Sequence, residues 1–174
     1  MIINNVNVEA IKETREKILR NEWPAKRPYI VEGEWVFDKE VQFIGKIEYP
    51  QGEIEIPVDN VPAMGGHGNA PNPVQMCTFG MISCYAYTFV SVAAEMGIKI
   101  KKLKIKGYVD VNLKSVLNIE DTAVVEGVNL EVEIQSDADK EIIEKIKEIS
   151  NKKCPAAYII QNPIPFRVKI KTEY

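Results

Sequence analysis

Hydrophobic and polar positions follow two rhythms along the chain, one of period 3.6 and one of period two. From Asn7 to Asn21, Val8, Ile11, Ile18 and Leu19 fall on roughly one face among charges, which predicts an amphipathic helix. Trp23-Pro24 and Arg27-Pro28 break it, because a residue before proline avoids the helical region. From Tyr29 to Val61 the period becomes two. Val41, Phe43, Ile47 and Tyr49 predict one strand, and Ile54, Ile56 and Val58 its hairpin partner, with Pro50-Gln51-Gly52 as the turn. Met64 to Pro73 is a loop by composition.

Asn72-Pro73 then opens a long helix that ends at Gly97, since Asn caps well, Pro suits the first helical position and Gly suits the exit. Between Pro73 and Glu95 there is no charged residue, so this helix is expected to be buried. Alternation resumes from Ile98 to Lys106, with a lysine face, and strands continue over Tyr108–Val111 and Val124–Ile134. Ser136-Asp-Ala-Asp139 opens a second helix in the manner of a capping box, striped by Ile142, Ile143, Ile146 and Ile149. Cys154-Pro155 ends it, and Ile164–Lys171 reads as a last strand. Strand runs separated by helices predict an α+β fold. It forms a single domain over residues 1–174, with a helical extension (1–28) before the core (29–174).

Composition narrows the function. With 45% apolar and 27% charged residues, the 174-residue chain has the make-up of a globular domain. A net charge of -3, with glutamates interleaved among the lysines, argues against nucleic acid as a partner. The uncharged run has the length of a membrane span, but Gln75, Thr78, Gly80, Ser83, Thr88 and Ser91 dilute it and strands flank it. A central helix wrapped by sheet is the expected reading, with no membrane partner. Met1-Ile-Ile-Asn-Asn lacks the basic and apolar regions of a leader, and three cysteines do not make a disulfide framework. A reducing, cytoplasmic setting is expected.

The candidate chemistry lies with the thiols. Cys77 and Cys84 are two turns apart on the long helix, about 10.5 Å, so they cannot bridge each other. Any disulfide must involve Cys154. Spacing alone leaves two core cysteines and a redox pair as open alternatives. A metal site of three cysteines and His67 would lack the close ligand pairs of structural zinc, so no metal is expected.

Gly65-Gly-His-Gly68, Asn72-Pro73, a cysteine eleven residues after that proline, and Cys154-Pro155 after the next helix occur in an order that resembles the OsmC/Ohr family. Its members are osmotically inducible and organic hydroperoxide resistance proteins, and the resemblance covers roughly Tyr29 to Lys171. It implies antiparallel sheets wrapped around a long central helix, an intertwined homodimer with sites at the subunit interface, and reduction of organic hydroperoxides without metal or organic cofactor. By position, Cys84 would be the peroxidatic thiol and Cys154 the resolving one, with a dithiol reductant restoring both. Two positions depart from the pattern. Val74 stands where the family has a glutamate, with Gln75 next, and no arginine lies between Arg27 and Arg167. Lys46, His67 and Gln75 are the candidate auxiliaries: a cation in the first strands, a loop base, and a polar group near the missing carboxylate. The other implied reading is a non-enzymatic binding or stress protein that keeps an apolar pocket without an activated thiol.

Overall fold

Two asparagines in left-handed conformation start the chain: Asn4 and Asn5 (φ 53° and 63°) turn β1 (Ile2–Ile3) back on β2 (Val6–Asn7). The computed structural model describes residues 1–172. Asn7 caps α1 (Val8–Leu19), its side chain accepting the Ala10 N–H at 3.2 Å. This opening segment is anchored to the body. The Asn4 side chain donates to the Ile98 carbonyl and accepts the Ile100 N–H, both at 2.8 Å, and Val8 is buried.

The second unit is an antiparallel sheet of β3 (Glu32–Trp35), β4 (Phe43–Tyr49) and β5 (Gly52–Val58), in that order. Phe43 faces Val58 and Ile47 faces Ile54, as the period of two requires. Trp35, Tyr49 and Ile54 are nonetheless exposed.

α2 (Pro73–Glu95) is the spine. Asn72 and Gln75 form a reciprocal capping box at its start, both bonds 2.9 Å, and Gly97 (φ 74°) terminates it. The helix packs against β6 (Ile100–Val111), which pairs antiparallel with β7 (Val125–Ser136). Leu103 faces Ile134 and Ile105 faces Val132 across that ladder, and all four side chains pack on the core. Gly107 sets the approach, because a Cβ there would lie 2.7 Å from the Ile82 Cγ2 and 2.8 Å from that of Thr78. The short α3 (Leu113–Val116) lies between the two strands. α4 (Lys140–Lys153) and α5 (Pro155–Gln161) close over α2. The core consists of Tyr85, Phe89, Ala93, Ile146 and Cys154.

The α+β class stands as expected, and four local expectations are corrected. α2 is long and apolar enough by composition to span a membrane, but it is the core helix of this fold and only partly buried: Phe79 and Tyr87 are more than 60% exposed. Its C-terminal part, residues 88–94, is buried or half-buried all round, whereas the part before it is left exposed along one side. Asp139, the N-cap of α4, makes no side-chain cap bond; Ser136 instead donates to the Lys99 carbonyl and accepts the Ala138 N–H. Cys154-Pro155 does not finish the helical run. Proline pushes the residue before it into extended backbone and suits the first turn of a new helix, so α5 follows directly. Finally, Ile164–Lys171 is not a strand. Its alternation is real, but among the described residues no neighbouring strand supplies ladder bonds, and Ile164, Phe166, Val168 and Ile170 stand exposed.

Candidate thiol site

Seventy residues separate Cys84 from Cys154, and the fold brings their sulfurs to 3.5 Å. Cys84 lies midway along α2. Cys154 is the single extended residue (φ -71°, ψ 119°) between α4 and α5, wholly buried, with its N–H on the Ser150 carbonyl at 2.9 Å. Both are free thiols, since a disulfide needs about 2.05 Å. Cys84 is partly exposed; Cys77 is exposed and takes no part in the pair.

Neighbouring side chains hold this arrangement. Tyr85 donates to the Asn151 Oδ1 at 2.8 Å, tying α2 to α4 beside the thiols. The Thr88 hydroxyl bonds the Cys84 carbonyl at 3.0 Å, and the Ser150 hydroxyl bonds the Ile146 carbonyl at 2.7 Å. Burial pushes the Cys84 thiol above its ordinary value. The Ala156 N–H, at the start of α5, pulls in the opposite direction, and the Cys154 sulfur adds to the rise. Burial likewise raises the Tyr85 hydroxyl, with smaller contributions from Cys154 and Glu144.

An open cleft of about 770 Å³ runs from Cys84 along α2. Its walls include Tyr87 and Val92 from α2 and Met96 just after it, with Ile149 and Pro155 opposite. Its charged groups are Arg15, Glu95 and Lys153, and Arg15 and Glu95 form an ion pair. A separate apolar hollow of about 710 Å³ beside Phe89, Leu130 and Ile143 contains neither thiol.

The three auxiliary candidates are placed elsewhere. Lys46 pairs with Glu53 at 2.9 Å across the hairpin, a bond that raises its ammonium further, and it does not line the cleft. Gln75 is committed to the capping box, nine residues and about 13.5 Å before Cys84. His67 is an exposed loop residue whose Nδ1 lies 3.8 Å from the Oδ1 of Asp59. Asp59 is itself buried, and its Oδ2 accepts the N–H groups of His67 (3.1 Å) and Asn69 (3.0 Å). Burial pushes that carboxyl up. The backbone N–H groups of Asn69 and His67, the His67 ring and the Gly68 N–H outweigh it, so the group is held below the usual range. Gly66 is forced by the same loop, since a Cβ would sit 2.0 Å from the Asn60 carbonyl oxygen. The loop is thus pinned in shape without reaching the thiols. Among the described residues, no three His, Cys, Asp or Glu side chains gather as a metal site.

Sequence reasoning missed Arg15, Tyr29 and Lys153 as residues of the cleft. Lys153 was within reach, being adjacent to Cys154. Arg15 carried no signal, because a helix 69 positions before Cys84 meets α2 only through the tertiary fold.

The sequence model of the OsmC-like protein family matches residues 66–169, more than half of the chain. Among solved structures, an OsmC-like protein from Mycoplasma pneumoniae superposes with a TM-score of 0.62 at 19% identity, covering 78% of this chain and 89% of that one. The organic hydroperoxide resistance protein OsmC of Legionella pneumophila gives 0.55 at 16% identity, covering 78% and 92%. Among curated proteins, none matches the chain.

Proposed function

The chain belongs to the OsmC-like protein family, and within it we propose a thiol-dependent peroxidase that reduces organic hydroperoxides through Cys84 and Cys154. The observation that carries the reading is the 3.5 Å between one partly exposed and one buried sulfur at the edge of an apolar cleft. The Cys84 thiolate attacks the terminal oxygen of ROOH, the O–O bond breaks, and the expelled alkoxide takes up the proton that the thiol released and leaves as ROH. Cys84 becomes a sulfenic acid. The Cys154 thiol then displaces the hydroxyl as water and forms the disulfide, the sulfurs closing by about 1.5 Å to bonding distance. A dithiol reductant exchanges with that disulfide and restores both thiols. No step calls for a metal or an organic cofactor.

The protein acts in the cytoplasm as an intertwined homodimer, without nucleic acid or membrane as partner. The support for the dimer is the apolar row Ile164, Phe166, Val168 and Ile170, the outer side of α2, and a three-stranded sheet with Trp35 and Ile54 exposed. That much uncovered apolar surface fits burial against a second copy. Light scattering on the purified protein tests it, and a monomer mass refutes it.

The raised Cys84 thiol favours a second reading, a binding or stress protein that uses the cleft without thiol chemistry. Titration with cumene hydroperoxide, followed by thiol counting, separates the two. Loss of two thiols per chain, abolished by Cys84→Ser and replaced by a trapped sulfenic acid in Cys154→Ser, supports the peroxidase. Three surviving thiols leave the binding reading.

A further inference from the structure

We propose that Arg15, carried by the N-terminal helix α1, is a specificity-determining residue of the thiol cleft: its guanidinium receives a carboxylate at the far end of an amphiphilic hydroperoxide whose peroxide group lies at Cys84. The inference rests on the peroxidase reading and adds the chemistry of the substrate's tail.

Cys84, Thr88, Val92 and Glu95 are spaced by four, four and three residues, so they form one stripe along α2. All four line the cleft. Eleven residues at about 1.5 Å each put roughly 16 Å between the levels of the thiol and Glu95. Between those ends the trough offers apolar surface, chiefly Tyr87, Val92 and Ile149. It therefore fits a ligand with a long apolar body, polar at both ends.

Charge chooses the tail. The cleft carries two cations, Arg15 and Lys153, against one carboxylate, Glu95. Lys153 adjoins Cys154 at the thiol end, whereas Arg15 stands with Glu95 at the other. Only one terminal nitrogen of the guanidinium contacts Glu95, which leaves further N–H donors of its fork open. An exposed ion pair is a weak competitor, so a second carboxylate can share or replace Glu95 there. The helix that carries Arg15 is anchored at its start, since Val8 is buried and Asn4 is bonded to Ile98 and Ile100. Because α1 lies outside residues 66–169, the cation at this end of the cleft is contributed by a segment beyond the family match.

The test compares linoleic acid hydroperoxide with its methyl ester in the full chain, Arg15→Gln and Arg15→Lys. Arg15→Gln is expected to raise KM for the acid about five- to tenfold with kcat unchanged, to leave the ester unaffected, and to be partly rescued by Arg15→Lys. Equal effects on acid and ester, or none on either, overturn the proposal. Calorimetric titration with the stable hydroxy acid product and its methyl ester reads the same preference without turnover. If no variant reduces hydroperoxide but the full chain binds the acid more tightly and Arg15→Gln does not, the peroxidase reading fails and the Arg15 assignment stands. Equal binding of acid and ester by the full chain refutes the assignment whatever the activity.

Discussion

Ionisation of Cys84 limits the proposed chemistry, and its direction can be worked out from the site. A thiol at its ordinary value near 8.5 is only about 3% thiolate at pH 7. Burial and the Cys154 sulfur hold Cys84 above that value, and the Ala156 N–H only partly offsets them, so its thiolate is scarcer still. Below the titration, each pH unit multiplies the thiolate about tenfold. The rate of alkylation at Cys84 should therefore rise about 100-fold from pH 6 to pH 8, with no plateau. Cys154→Ser removes the two raising causes that come from the Cys154 sulfur, its hydrogen bond and its charge, and leaves burial, the largest, in place. The midpoint should move down and remain above the ordinary value. The assay is iodoacetamide labelling in a Cys77→Ser background, read by mass spectrometry of the Cys84 peptide; Cys77 is exposed and would otherwise compete. A rate already flat at pH 7 would sink the reasoning, because it would require a cation acting on the sulfur, and Lys153, though it lines the cleft at the thiol end, is not among the groups that move Cys84. Folding is linked with the same sign. A thiol raised in the folded state holds its proton longer there than when unfolded, so its contribution to stability is intact below the unfolded value. It is lost as pH rises through the folded one, and the melting temperature should fall across that alkaline window.

Gly107→Val should destabilise by about 1–3 kcal/mol in urea unfolding, since its Cβ meets the Ile82 and Thr78 methyl groups within 2.8 Å. An unchanged midpoint would mean that α2 does not cross β6 at that point. Ile146→Ala removes a wholly buried side chain from the core beside Cys154 and should cost about 2–5 kcal/mol by the same measurement. Asp59→Asn should speed hydrogen exchange at the His67 and Asn69 amides while leaving Cys84 alkylation unchanged, as the loop does not reach the thiols. In the unmodified chain, that carboxylate is held low, so its hold on the loop persists above the unfolded carboxyl value. It should be released only as pH falls through the lower folded one, which amide exchange in acid checks.

The local elements were legible because their causes are local. Asn72, Pro73 and Gln75 satisfy the first N–H groups of α2 whatever packs on it, and Gly97 ends it through its own backbone freedom. The hairpin of Phe43–Tyr49 and Gly52–Val58 follows from two alternating runs and a short turn. Where a partner was needed, local reasoning failed: among the described residues the alternation of Ile164–Lys171 meets no adjacent strand. Proline signals equally a stop and a new first turn, so the sequence at Pro155 does not distinguish the end of α4 from the start of α5.

The candidate site divides along the same line. Spacing alone left packing and redox chemistry open for the cysteines, and it was the resemblance of the ordered motifs to the OsmC/Ohr family that singled out Cys84 and Cys154. Their distance, the burial that keeps Cys84 protonated, and the placing of Lys46, Gln75 and His67 in other roles belong to the tertiary structure. So does the arrival of Arg15 at the far end of the cleft. Side-chain propensities act over a few residues, whereas electrostatics and packing act between whichever groups the fold makes neighbours. A contact across 70 or 80 positions is therefore decided only when the helices dock.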